Sequence, residues 1–225
     1  RRLPQMLYYL WGALQLRRAG ETRAPYVVVP SGNLGNLTAG LLAAASGLRV
    51  EGFLAAHNAN RFLPEVLAGR RAPDAFPATV RTLSNAMDVG APSNFERLRR
   101  LYGDGLGEVV DAVSIGDEAT LARMRRTAEQ DATIVCPHTA VGLEALERVR
   151  AERPELRDRP ALILATAHPA KFPAAVQRAT DRPAPTAPAL EALRDAETRV
   201  ESLAPDLAAL VEAVRDGPWP TDGSD

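Results

Sequence analysis

The chain has 225 residues, long enough for one good hydrophobic core, and its 27 basic against 28 acidic side chains leave a net charge of −1. That balance offers no electrostatic footprint for a nucleic acid, and no apolar run is long enough for a membrane span. The one cysteine, Cys136, rules out an internal disulfide and fits a reducing, cytoplasmic setting.

The segments alternate between helix and strand. A first helix is predicted over residues 4–17, with Leu7, Tyr8, Leu10, Trp11, Leu14 and Leu16 as a broad apolar face. Strands are predicted at residues 26–29, 50–55, 109–113, 133–135 and 161–164, each short, largely apolar and followed by turn residues. Helices are predicted between them, at residues 37–46, 95–102, 117–130 and 140–153. The pattern is that of an α/β fold, a doubly wound and mostly parallel sheet whose ligands gather at the carboxyl ends of its strands. The α/β portion is expected over residues 1–179. A stiff proline-rich linker at 181–188 and amphipathic helices at 190–198 and 206–215 make up residues 180–216, and residues 217–225 are expected to be a disordered tail. The chain opens on Arg1-Arg2-Leu3, without an initiator methionine or signal segment, and is expected to begin inside a domain.

The most informative stretch follows the first strand: Ser31-Gly32-Asn33-Leu34-Gly35-Asn36-Leu37-Thr38-Ala39-Gly40. Gly32 and Gly35 permit positive φ and close backbone approach, and Asn33 and Asn36 tolerate left-handed geometry, so amides are expected to converge on an anion. The next helix adds its positive N-terminal end at the same point. The loop lacks the Gly-Lys-Ser/Thr ending of a P-loop, and its Gly32-x-x-Gly35 spacing is not the dinucleotide fingerprint. A strand-to-helix turn that binds nothing is the plain alternative. No close pairing among His57, His138, Cys136 and His168 has the spacing of a zinc site, so no metal is expected.

Four blocks, in order, resemble threonine synthase, a pyridoxal-phosphate enzyme family of the tryptophan-synthase-β-like fold. They are the loop at Ser31 to Gly40; Thr82-Leu83-Ser84-Asn85-Ala86-Met87-Asp88-Val89 with Pro92-Ser93-Asn94-Phe95; Cys136-Pro137-His138-Thr139-Ala140-Val141-Gly142; and Ala165-Thr166-Ala167-His168-Pro169-Ala170-Lys171-Phe172. The similarity runs from about Leu3 to about Gln177. Leu34 stands where the family usually has an aromatic residue, and Ala59-Asn60-Arg61-Phe62 departs from its usual Asn-Asp-Thr-like run.

The resemblance implies the carboxy-terminal part of an enzyme that converts O-phospho-L-homoserine and water to L-threonine and phosphate, with pyridoxal 5'-phosphate as cofactor. Ser31, Gly32, Asn33, Leu34, Gly35 and Asn36 would hold the cofactor phosphate, with Ser31 or Thr38 supplying a hydroxyl, and Thr166 would face the pyridine nitrogen. Ser84, Asn85 and Asp88 look like substrate-pocket residues, although Asp88 equally suits a helix cap. The family's Schiff-base lysine is expected upstream, in an amino-terminal region, which leaves no catalytic residue in this chain and makes it inactive alone. Lys171, the single lysine, is read as a helix-start residue with its amine in solvent. His138 and His168 are read as hydrogen-bonders or pocket walls. Other readings stay open: a threonine dehydratase or cysteine synthase of the same fold, or a non-catalytic phosphate-binding domain. An oligomer is compatible with any of these.

Overall fold

The computed structural model describes residues 2–198, 200 and 202–216; the tail expected at 217–225 lies outside them. Two compact units divide between Ala187 and Pro188.

In the first unit four parallel strands form one sheet in the order β3-β2-β1-β4. They are β1 (Tyr26–Pro30), β2 (Gly52–His57), β3 (Val110–Ser114) and β4 (Ala161–Ile163). β1 lies in the middle, with Tyr26 opposite Gly52 of β2 and opposite Ala161 of β4. All five of its residues are buried, as a central parallel strand covered on both faces requires. Alternate side chains serve different cores. Val27 and Val29 join Phe53, Leu37, Leu41 and Tyr9 on one face, while Tyr26 and Val28 join Leu54, Val141, Ala145 and Val149 on the other. This is the expected α/β layering, with α1 (Arg2–Arg18) and α2 (Gly35–Ala45) on the first face. The same chain order continues through α3 (Phe62–Leu67), α4 (Phe95–Tyr102), α5 (Leu106–Val109), α6 (Asp117–Gln130), α7 (Pro137–Glu152), which covers the second face, and α8 (Pro173–Thr180).

The strand expected at residues 133–135 does not form. Ile134 and Val135 instead pack with Met124, Ala140, Val176 and Phe172, between α6, α7 and α8. A short apolar run is satisfied equally by a ladder or by burial among helices, and its length carries no period to separate the two.

The expected apolar face of α1 is also corrected. Tyr9 is its fully buried residue, whereas Leu7 is 62% and Trp11 61% exposed. The helix seats itself through its small residues: a Cβ at Gly12 would come within 2.6 Å of Leu162, and one at Gly40 of α2 within 2.6 Å of the Tyr9 ring. Close approach at these glycines, rather than the count of leucines, selects which stripe turns inward.

In the second unit, α9 (Pro188–Glu191) is a single turn followed by turn residues, not the helix expected over 190–198. Leu193 is exposed there, and a short helix without a packed face is marginal. The last helix, α10 (Leu207–Asp216), falls close to its expected position.

Candidate active site

The carboxyl end of β1 runs into the loop that begins α2. Leu34 takes left-handed geometry there, at φ 60 and ψ 12, and precedes the helix at Gly35. This corrects the expectation for the glycines: neither Gly32 nor Gly35 has positive φ. Gly32 is needed for a different reason, because a Cβ on it would lie 2.7 Å from Met87 Cα. At Gly35 the nearest atom to such a Cβ is Asn94 Nδ2 at 3.6 Å, an ordinary contact. A buried, left-handed leucine carries backbone strain of about 1 kcal/mol or more, held in place by its packing in the core.

Side chains lock the loop from three sides. The Tyr9 hydroxyl donates to the Asn36 carbonyl. Ser93 N donates to Asn33 Oδ1 at 2.6 Å, and Asn94 Nδ2 donates to the Asn33 carbonyl at 2.7 Å, which joins the first sequence block to the second. Asn33 is thereby a tie between loops, not a left-handed residue. Ser31 Oγ donates to the Val29 carbonyl and Thr38 Oγ1 to the Leu34 carbonyl, each at 2.8 Å, so both hydroxyl protons are engaged by backbone. By contrast, the N–H groups of Gly32, Asn33, Leu34, Gly35, Asn36 and Leu37 meet no carbonyl among the described residues.

The amides of residues 32–36 border a cavity of about 270 Å³ that gathers residues from distant parts of the chain. Ser31, Gly32, Asn33, Leu34, Gly35 and Asn36 line it together with Thr166, three residues past Ile163, the end of β4. Gln5, Ala86, Met87 and His138 complete much of its wall; Gln5 carried no signal in the sequence. His138, the second residue of α7, is buried, its ring 4.9 Å from that of Phe172, and neither ring nitrogen has a partner among the described residues. Burial lowers its pKa, with the Asp88 carboxylate acting in the opposite direction. Asn36 Oδ1 is also buried without a partner among the described residues.

Of the second block, Ala86 and Met87 reach this cavity, while Ser84, Asn85 and Asp88 do not line it. Asp88 is the hub of a neighbouring polar network. Its carboxylate accepts from Thr82 Oγ1 at 2.6 Å, Thr82 N at 2.9 Å, Asn58 Nδ2 at 2.8 Å and Asn60 Nδ2 at 3.2 Å. Ser84 is buried in the same network, its Oγ accepting from Asn58 Nδ2 at 3.1 Å. Asn85 is exposed at the start of the 3-10 turn Asn85–Met87. Asn58 and Asn60 were missed by sequence reasoning. Their signal was two amides directly after an apolar strand, where a buried polar pair needs partners.

His168 caps its own short turn, its Nδ1 accepting from Ala170 N at 3.2 Å. Lys171 ends that turn, exposed, and does not line the cavity.

His57 closes β2 and is buried, with no partner for Nε2 among the described residues; burial pushes its pKa down to about 4. The folded state therefore holds it neutral, and its contribution to stability is complete above the ordinary value near 6.5 and lost as pH falls from there towards 4. The difference amounts to roughly 3 kcal/mol, and His138 acts with the same sign. Acid unfolding followed by circular dichroism should show this loss, and His57→Gln should flatten it. An unchanged acid limb in that variant contradicts the assignment.

The family model described as threonine synthase, C-terminal, matches residues 139–214. The threonine synthase of Serratia marcescens is 41% identical over 198 residues, covering 85% of this chain and 44% of that protein. The crystal structure of pyridoxal-phosphate-bound threonine synthase from Brucella melitensis superposes with a TM-score of 0.72 at 30% identity, covering 96% of this chain and 50% of that one. A fungal L-serine ammonia-lyase from Rhizomucor miehei, at 18% identity and a TM-score of 0.52 over 71% of this chain and 50% of that one, shares the fold alone. The chain spans about half the length of the threonine synthases it matches. With the four sequence blocks in order and each of them contributing a residue to one cavity, the chain belongs to the threonine synthase family and corresponds to its carboxy-terminal portion.

Proposed function

We propose that this chain supplies the cofactor-phosphate cradle and the pyridine-nitrogen partner of a pyridoxal-phosphate-dependent threonine synthase, a cytoplasmic enzyme that converts O-phospho-L-homoserine and water to L-threonine and phosphate. The observation that carries the reading is the meeting of the 31–36 loop and Thr166 on one cavity, from opposite ends of the sheet unit's sequence. The residues fit the group. Among the described residues the amides of 32–36 meet no carbonyl, the α2 N-terminus is directed to the same place, and His138 and Asn36 bring buried polar atoms without a partner.

Pyridoxal phosphate supplies, when bound, the electron sink for bond changes at the amino-acid carbons. This chain's residues have separate tasks. The loop amides would hold the phosphate. The Thr166 hydroxyl faces the ring nitrogen as a neutral partner and leaves it less positive than a carboxylate would. Leu34, Ala86 and Met87 give the cavity apolar walls. The Asp88 network holds the 84–88 turn so that Met87 can press on Gly32, and Ser84 supports it from inside; Asn85, exposed beside that wall, is the substrate-binding candidate of the block. The lysine that binds the cofactor comes from an amino-terminal region of threonine synthase type, the chain's partner, because Lys171 stands away from the cavity.

Two results are expected. The 225-residue chain, given pyridoxal phosphate and O-phospho-L-homoserine, releases phosphate no faster than the cofactor alone; faster release, with borohydride trapping of the cofactor on Lys171, overturns the assignment of the lysine. In an enzyme complete with its amino-terminal region, Thr166→Val loses the hydrogen bond to the ring nitrogen, worth about 0.5–1.5 kcal/mol, and lowers turnover more than folding stability, while Thr166→Ser keeps most activity. Parent-like spectrum and turnover in Thr166→Val exclude the nitrogen pairing.

A further inference from the structure

The reading above leaves one buried titratable group in the cavity without a task. His138 is 2% exposed, and neither Nδ1 nor Nε2 has a protein partner among the described residues. Nothing in its packing against Phe172 needs those nitrogens, since an apolar ring would fill the same volume without burying polar atoms. A ring kept there against that cost points to a partner beyond the described residues.

The cavity narrows the choice of partner. Among the described residues its lining contains no arginine or lysine. Ser31 has given its hydroxyl proton to Val29, and Asn33 Oδ1 is taken by Ser93. The site therefore presents backbone amides, the N-terminal ends of α2 and α7, and an imidazole whose donor is unengaged. Burial favours the neutral ring, which has one N–H donor and one acceptor. An anion with several acceptor oxygens matches such a set, and a cation does not.

We propose that His138 is a direct ligand of the bound phosphate group, donating one ring N–H to a phosphate oxygen while the amides of residues 32–36 hold the others; this rests on the reading of the loop as a phosphate cradle. The imidazole takes the place that an arginine or lysine fills in other phosphate sites, and it holds the anion without adding a fixed charge beside the cofactor ring.

The test uses the chain labelled with 15N and inorganic phosphate as probe, followed by backbone amide spectra and by long-range spectra of the imidazole nitrogens. Phosphate is expected to shift the amides of residues 32–36 and to move one ring nitrogen of His138 to the hydrogen-bonded N–H position, leaving the rings of His57 and His168 unmoved. His138→Phe, which keeps a ring against Phe172, is expected to weaken phosphate binding about tenfold or more, and His138→Gln to recover part of the loss. Amide shifts in the loop with His138 unmoved and parent-like binding by His138→Phe overturn the proposal and leave the cradle standing. An absence of shifts at both places removes the cradle and the proposal together. Should His138→Phe fail to fold, the ring-nitrogen shifts of the parent decide alone.

Discussion

Gly32→Ala is expected to disrupt the cofactor site, although alanine is the smallest change available. The added Cβ would stand 2.7 Å from Met87 Cα and 3.1 Å from Met87 C and O, and these are backbone atoms that no rotamer change can remove. Either the loop or the 84–88 turn must shift, at a cost of about 1–3 kcal/mol for overpacking, with the cavity between them deformed. Pyridoxal-phosphate affinity should fall at least tenfold while far-ultraviolet circular dichroism stays native. Gly35→Ala is the control: its φ is not positive and its Cβ would make an ordinary 3.6 Å contact, so it should fold as the parent does. If Gly32→Ala binds cofactor like the parent, the approach to Met87 is not a constraint on the site.

Asp88→Ala is expected to have the larger effect on stability. It would remove the acceptor for Thr82 N and Thr82 Oγ1 and one acceptor each for Asn58 and Asn60, both of which are buried. Thr82 N would be left without an acceptor, while Asn58 Nδ2 keeps Ser84 and Asn60 Nδ2 keeps the Val80 carbonyl; an orphaned donor costs about 1–3 kcal/mol, and a loss of that size is expected in urea unfolding. Asp88→Asn keeps the volume but turns an amide donor towards other donors, and it should recover little. Should Asp88→Asn match the parent in midpoint and in cofactor affinity, the network is not what holds Ala86 and Met87 at the cavity wall.

Much of the fold is legible where the sequence leaves a segment one satisfactory environment. The run from Tyr26 to Pro30, wholly apolar and followed by small residues, suits only a central strand feeding a loop, and the structure buries all of it. The helix α1 illustrates the opposite case. Apolar residues surround most of its circumference, so periodicity does not choose the inward stripe; the close approaches at Gly12 and Gly40 do, and they depend on Leu162 and Phe53 far along the chain. Within the site, the loop announces an anion cradle through composition, but the left-handed turn falls on Leu34 because the glycines are occupied with close packing. His138 is legible as a pocket wall, but the partners of Asn58 and Asn60 and the unpaired nitrogens of His138 are not, for one reason. Whether a buried polar atom is satisfied is decided by neighbours that only tertiary structure supplies.

The central claim, that the 31–36 loop and Thr166 form one pyridoxal-phosphate site, is tested most directly by a crystal structure of the chain grown with pyridoxal phosphate. The phosphate oxygens should lie within hydrogen-bonding distance of the amides of residues 32–36, with the ring nitrogen facing the Thr166 hydroxyl. A phosphate bound elsewhere on the chain, or a ring nitrogen paired with another residue while Thr166 stands apart, would contradict the account.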